Sequence, residues 1–307
     1  MNEKLTFVYC FDENYSKQGL SSIISLLDTS SEEINILIIY NLVPSKIKIP
    51  NIIKDHKNLN KIEIKQFLNS DYNFPNLEEN HVSSATYYRL FVDDYIDNTV
   101  STIFYIDADI IFIKNPINLF KKAYEHLLDS EFVISARTEK SLRQKPDEVF
   151  KRLNLSEKYF NAGVLVINLE LWRKQNIQEK LIKNMKKISN LIVHWDQDVM
   201  NSYFDGEYQE LDNNLNFESS SFNEKSEDVV ALHFLGSNKP WYMSGVFRYG
   251  SHFYHENFNK FNNSKYHIVH LWKRASIIEF IKSIFNLNFF KIKFPLLFIK
   301  SFIESLR

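Results

Sequence analysis

Two carboxylates, Asp107 and Asp109, flank one alanine between the apolar runs Ile103-Phe104-Tyr105-Ile106 and Ile110-Ile111-Phe112-Ile113. On extended backbone, residues two apart project to the same side. Hard divalent cations take oxygen ligands and often share them with substrate phosphates. A carboxylate pair at the carboxyl end of a buried strand is thus a holder for a metal-diphosphate. Asp is also common wherever a strand turns into a loop, so the pair alone does not decide. A second cluster is His233-Phe234-Leu235-Gly236-Ser237-Asn238-Lys239-Pro240-Trp241. His233 ends an apolar run, where a histidine is either a hydrogen-bonded core residue or a ligand. Gly236 permits close backbone approach, Lys239 supplies a point charge for phosphate, and Pro240 restricts the loop.

Further polar groups fall at the ends of apolar runs. Asp12-Glu13-Asn14-Tyr15 suits a turn and helix cap, and equally suits reading the edges of a base and ribose. Arg89 lies among Tyr87, Tyr88, Leu90 and Phe91, and a buried arginine needs an anion. That anion is either an internal carboxylate such as Asp93 or a ligand phosphate or carboxylate. Phe160-Asn161-Ala162-Gly163 reads as a tight turn ahead of the strand Val164–Asn168, or as a place where a ligand meets the backbone. His194-Trp195-Asp196-Gln197-Asp198 opens a short helix, where acidic residues are electrostatically favourable without any function.

The elements that must position these groups alternate. Apolar runs at Leu5–Phe11, Ile34–Tyr40, Ile62–Phe67, Thr102–Asp107, Ile110–Ile113, Phe132–Ala136, Val164–Asn168 and Val229–Phe234 predict strands. Helical spacing predicts helices over Ser16–Asp28, from Ser83/Ser84 to Tyr95, after Pro116, over Leu169–Lys187 and over Asp196–Phe204. Strand–helix alternation implies an α/β fold with a mostly parallel sheet covered on both faces. In such sheets ligands bind beyond the carboxyl ends of the strands, where the polar clusters fall.

Composition agrees with a soluble globular protein. The 307 residues are 44% hydrophobic and 24% charged, ample for a real core. The single cysteine, Cys10, excludes an internal disulfide and a cysteine-rich zinc site. No apolar stretch approaches the roughly 20 residues of a spanning helix, and the first residues lead into a strand without a secretory apolar region, so a cytoplasmic protein is expected. The use of Ile, Lys and Asn suits an AT-rich bacterial genome.

With these pieces in this order, the sequence resembles the glycosyltransferase family 8 enzymes, the bacterial lipooligosaccharide galactosyltransferase and glycogenin group. The matching segments are Phe11–Tyr15, Ser84–Leu90, Tyr105–Asp109, Asn161–Val164, Asp196–Asp198 and His233–Trp241, spread over about residues 5–241. The resemblance implies a GT-A fold, a UDP-hexose donor (UDP-galactose or UDP-glucose), Mn²⁺ or Mg²⁺, and transfer with retention. It implies that Asp107, Asp109 and His233 hold the metal. It places Asp12 and Asn14 on uridine and ribose, with Cys10 in the uracil pocket wall where the family often has Ala. It puts Arg89, Asn161, Asp196 and Gln197 around the donor sugar, with Ala162 and Gly163 beside it and Gln197 next to the anomeric centre. Gly236 and Lys239 would meet the diphosphate. Residues 137–158 and 210–228 match no part of the pattern and are where an acceptor glycan or glycolipid is expected. Two rival readings use the same residues, a metal-dependent nucleotide-sugar or phosphodiester hydrolase and a catalytically silent binding module.

The charge is asymmetric. Lys260–Arg307 carries nine Lys and Arg against two Glu, so +7, while the preceding residues sum to −8. This separates a catalytic body, residues 1–261, from a basic aromatic helical tail, residues 262–307. The tail either packs on the body by its aromatic face or contacts an anionic membrane surface, here the inner face of the cytoplasmic membrane. A basic aromatic stretch can also bind nucleic acid, which a glycosyltransferase body argues against.

Overall fold

The computed structural model describes residues 4–69, 72–75, 83–139, 147–156, 158–262 and 266–307. Its centre is a seven-stranded sheet in the order β3-β2-β1-β4-β7-β6-β8. These strands are β1 (Thr6–Phe11), β2 (Ile34–Tyr40), β3 (Leu59–Gln66), β4 (Thr102–Ile106), β6 (Ile134–Thr138), β7 (Phe160–Asn168) and β8 (Gln209–Glu210). All neighbours are parallel except at β7, which runs against both β4 and β6. Alternate residues of the central strands enter opposite cores, as the pleat requires. Val8, Cys10, Ile103 and Tyr105 face one core, and Phe7, Tyr9, Phe11, Phe104 and Ile106 face the other. Both faces being covered explains why these strands read as unbroken apolar runs.

A three-stranded sheet stands beside it, made of β5 (Ile110–Phe112), β9 (Phe217–Glu218) and β10 (Ala231–His233), with β10 in the middle. Its register is what builds the site. His233 pairs with Ile110 across β10 and β5, so the imidazole sits beside Asp109. On the other side, Ile106 pairs with Val164, and the Asp107 N–H donates to Gly163 O at 2.8 Å.

Three expectations change. The predicted helix over Leu169–Lys187 is two helices, Leu169–Lys174 and Ile177–Lys187, broken where Asn176 takes φ 54°. Asn tolerates that left-handed backbone better than most residues. Phe160-Asn161-Ala162-Gly163 is no turn but the first half of β7, wholly buried. The segment after Ser83 is a 3₁₀ helix, Ser84–Tyr95, with a kink at Phe91. A 3₁₀ run of that length is uncommon, and it delivers Arg89 into the interior.

The tail folds as helices Lys273–Phe285 and Pro295–Leu306 joined by a short 3₁₀ turn. Phe289, Phe298 and Phe302 are buried with Met243, Val246 and Tyr266 in a small core of their own. No helix among the described residues is long and apolar enough to cross a membrane.

Candidate active site

Asp107, Asp109 and His233 each offer one ligand atom within 4.8 Å of the other two. Asp109 Oδ1 lies 3.3 Å from His233 Nε2. That oxygen is buried and receives no hydrogen bond. A buried carboxylate oxygen left without a donor is costly unless a cation satisfies it. The oxygen-rich donor set with one imidazole suits a divalent ion, so the residues fit the metal. Meanwhile Asp109 Oδ2 pairs with Lys239, whose ammonium also donates to Phe234 O at 2.6 Å. Burial opposes the Asp109 charge, but the groups beside it, Lys239 first, together outweigh burial and the carboxyl lies below the usual range.

Behind this trio Arg89 is a hub. Its Nη2 donates to Asp107 Oδ1 at 2.8 Å, its Nη1 donates to Ala162 O, and its Nε donates to Thr86 O at 3.2 Å. Asp196 Oδ2 lies 2.7 Å from Nε, off the hydrogen-bond line, and so has no donor of its own. The anion that Arg89 needs is therefore internal, and it is Asp107 with Asp196. Asp93 instead pairs with Arg173 at 2.6 Å. Burial opposes the Arg89 charge, yet Asp107 and Asp196 outweigh it and hold the pKa above its usual value. Burial pushes Asp196 up to about 6, with Arg89 and the Thr86 hydroxyl pulling the other way. Trp195, just before it, has φ 44°. That left-handed start turns the helix Trp195–Phe204 so that Asp196 reaches Arg89.

Gln197 joins the same wall. Its Oε1 accepts from Ala162 N–H at 3.1 Å, and its Nε2 donates to Tyr159 Oη at 3.1 Å. Asn161 Oδ1 accepts from Gly163 N–H at 3.0 Å. At the end of β1, Asp12 caps the following turn, accepting from Asn14 N–H at 3.0 Å and Tyr15 N–H at 3.1 Å. Asn14 Nδ2 donates to the other Asp12 oxygen at 3.3 Å. The capping role is thus present, and the Tyr15 ring, next along the chain, meets Trp241 edge-on at 6.0 Å. Cys10 is buried, and burial above all pushes its thiol up and keeps it inert. Gly236 takes φ 67° with open space beside it.

Residues 6–245 match the sequence profile described as "Glycosyl transferase family 8". The chain belongs to glycosyl transferase family 8. The structure is similar to that of the galactosyltransferase LgtC crystallised with donor and acceptor sugar analogs, with TM-score 0.71, 19% identity, and 89% of this chain and 100% of that one covered. That likeness shows the GT-A fold. In sequence, the chain is 27% identical over 282 residues to General stress protein A of Bacillus subtilis (strain 168), covering 83% of this chain and 93% of that protein. It is 29% identical over 185 residues to Lipopolysaccharide 1,3-galactosyltransferase of Salmonella typhimurium, covering 55% of this chain and 52% of that protein, about half of each.

Within this family 8 chain the segments without a match to the pattern divide. Asn216, from 210–228, is fully buried and bonded to both Asn161 and His233. Only its place two residues after a polar turn, Asp212-Asn213-Asn214, distinguished it in sequence, too little to single it out. In the other segment, Arg137 and Glu139 form a buried pair at 2.6 Å and Thr138 bonds Glu210, so this stretch is internal structure. Lys140 lies outside the described residues. Tyr105, which donates to Asp107 Oδ1 at 2.7 Å and underlies the Arg89 guanidinium at 4.2 Å, was hidden among strand aromatics. Gly163 has a specific reason: a Cβ there would lie 2.3 Å from the His233 ring.

Proposed function

We propose that this enzyme transfers galactose or glucose from a UDP-sugar to a glycan or glycolipid acceptor, with retention, in bacterial lipopolysaccharide or other surface-glycan synthesis. The observation that carries it is the Asp107–Asp109–His233 trio with an unsatisfied buried oxygen, at the carboxyl end of β4. The kinship to a lipopolysaccharide galactosyltransferase supports the hexose and the glycan acceptor. Asp107, Asp109 and His233 would hold Mn²⁺ or Mg²⁺, which would neutralise charge gathering on the departing diphosphate. Lys239 stands ready to add a second positive charge there. Asp12 and Asn14 hold the uridine and ribose, with Cys10 in the pocket wall. Gly236 gives the diphosphate backbone access. Arg89 fixes Asp107 and Asp196 in place. Asp196 Oδ2, with no donor of its own, accepts from a sugar hydroxyl. Gln197, held by Ala162 N–H and Tyr159, faces the anomeric carbon and stabilises its cationic character. Attack by the acceptor on the face of the leaving group gives retention, since an amide is a poor nucleophile.

A panel of UDP-sugars scored by UDP release, with and without acceptor glycans, tests the assignment. The expected result is acceptor-stimulated release from UDP-galactose or UDP-glucose with Mn²⁺ and loss in EDTA. Release of free hexose whatever acceptor is added would indicate a hydrolase instead.

The division into a catalytic body, 1–261, and a membrane-contacting tail, 262–307, belongs to the same proposal. The tail exposes Trp272 (78%), Phe285 (82%) and Leu296 (81%), with Phe290 and Phe294 also exposed, while Phe289, Phe298 and Phe302 are buried. Lys273, Arg274, Lys291 and Lys300 are exposed in the same segment. Large exposed apolar side chains among cations fit an anionic lipid surface on the cytoplasmic side. The triple substitution Trp272→Ser, Phe285→Ser, Leu296→Ser should leave UDP release unchanged and abolish sedimentation with anionic vesicles. Wild-type binding should weaken with salt, as roughly 1 kcal/mol per interfacial Lys or Arg implies. Protein that stays in the supernatant at low salt would end the membrane reading.

A further inference from the structure

A chain of hydrogen bonds behind the metal trio fixes which nitrogen of His233 is available to a cation. It starts at the Gly163 N–H, a group that can only donate. The Asn161 side-chain atom facing it at 3.0 Å must therefore be the acceptor, Oδ1. Asn216 meets that same oxygen at 2.9 Å, and so must present its donor, Nδ2. The remaining Asn216 atom is then Oδ1, and it faces His233 Nδ1 at 2.8 Å. An amide oxygen only accepts, so Nδ1 must carry the proton. In the neutral ring Nε2 is left as a lone pair. It lies 3.3 Å from Asp109 Oδ1, off the hydrogen-bond line, and that oxygen receives no hydrogen bond. Two lone-pair atoms at that separation can share one cation with Asp107.

Every link is buried: Asn216, Asn161 and His233 are all shielded from water. Water therefore cannot readily substitute for a lost partner. Gly163 closes the arrangement sterically, since any Cβ would collide with the ring.

We infer that Asn216 is a positioning residue for metal binding, acting through His233: with Asn161 it relays the direction of the Gly163 N–H into the imidazole tautomer. This rests on the metal reading of the trio, but its first test does not need the metal. Outer partners of histidine ligands typically matter 10- to 100-fold in metal affinity.

The experiment uses the full chain. Long-range ¹H–¹⁵N spectra of the metal-free protein at about pH 8, where an ordinary imidazole is neutral, report which His233 nitrogen is protonated. The expected species is protonated at Nδ1; protonation at Nε2 overturns the inference. Mn²⁺ binding is then measured calorimetrically without nucleotide, for wild type, Asn216→Leu and Asn216→Asp. Asn216→Leu removes the acceptor and should release the tautomer and weaken Mn²⁺ binding about 10- to 100-fold. Asn216→Asp gives up the donor to Asn161 Oδ1 but keeps an acceptor against Nδ1, and should retain the Nδ1-protonated ring and most of the affinity. It also serves as the control if Asn216→Leu does not fold. Equal Mn²⁺ affinity in wild type and a folded Asn216→Leu, or a loss in Asn216→Asp as large as in Asn216→Leu, contradicts the relay. Wild type that binds no Mn²⁺ but shows the Nδ1-protonated ring would sink the metal reading while leaving the tautomer assignment in place.

Discussion

Asp109→Ala is expected to abolish metal-stimulated sugar transfer while leaving the protein folded. A cation that neutralises a departing diphosphate contributes several kcal/mol to the barrier, so the rate should fall roughly a thousandfold or more. The stability side follows from what Asp109 touches. One oxygen has no donor, and the other pairs with Lys239, which keeps a second acceptor in Phe234 O. Losing this carboxylate removes an unsatisfied oxygen together with one ion pair, and leaves the lysine bonded to a carbonyl. Asp107→Ala should differ. Asp107 also accepts from Arg89 and Tyr105, so its loss leaves two buried donors short of a partner. The expected pattern is equal loss of transfer in both variants, with the larger drop in melting temperature in Asp107→Ala. Steady-state rates across a Mn²⁺ series, paired with thermal melts, check it. Full wild-type activity in EDTA, or an Asp109→Ala enzyme that retains its rate, would remove the metal from the mechanism.

That contrast shows what the sequence does and does not carry. Unbroken apolar runs marked the central strands because both faces of β1, β4 and β7 are buried, and alternate residues serve two different cores. Hence Ile34–Tyr40 was legible to the residue. Asp107, Asp109 and His233 were visible because each sits where an apolar run ends, and Lys239 because it follows in a glycine-containing loop. What joins them was not visible. His233 reaches Asp109 through the register of β10 on β5, a pairing of segments more than a hundred residues apart that no local pattern encodes. The partners of Arg89 were likewise ambiguous, since Asp93, four residues along, is a better local guess than Asp107 or Asp196. The Leu169–Lys187 break turns on one left-handed Asn176 inside an otherwise helical pattern. Asn216 was illegible because an asparagine near a turn is ordinarily a turn residue.

The same hub supplies the largest expected effect on stability. Arg89→Met should destabilise the fold by about 3–5 kcal/mol, the size seen when one member of a buried ion pair is removed. The arginine is almost wholly buried, and so is Asp196, so water cannot take over the lost contacts. Methionine fills comparable space, which isolates the charge from the cavity. Arg89→Lys should rescue little, because one ammonium cannot meet Asp107, Asp196, Ala162 O and Thr86 O with the planar fork that serves them now. The pH dependence gives the deciding signature. Burial raises Asp196 in the folded protein to about 6 from 3.8, so between those values the folded state holds the extra proton. Stability from this group therefore falls as pH rises through that window. Arg89 pulls the Asp196 pKa down, and removing it moves the folded value higher still. The variant should then go on losing stability above pH 6, where the Asp196 contribution in wild type has already levelled off. Urea unfolding of both proteins at about pH 5.5 and about pH 8 measures this, with the gap between them expected to widen at the higher pH. A gap that is constant, or that narrows, would mean that Asp196 does not depend on Arg89 for its charge.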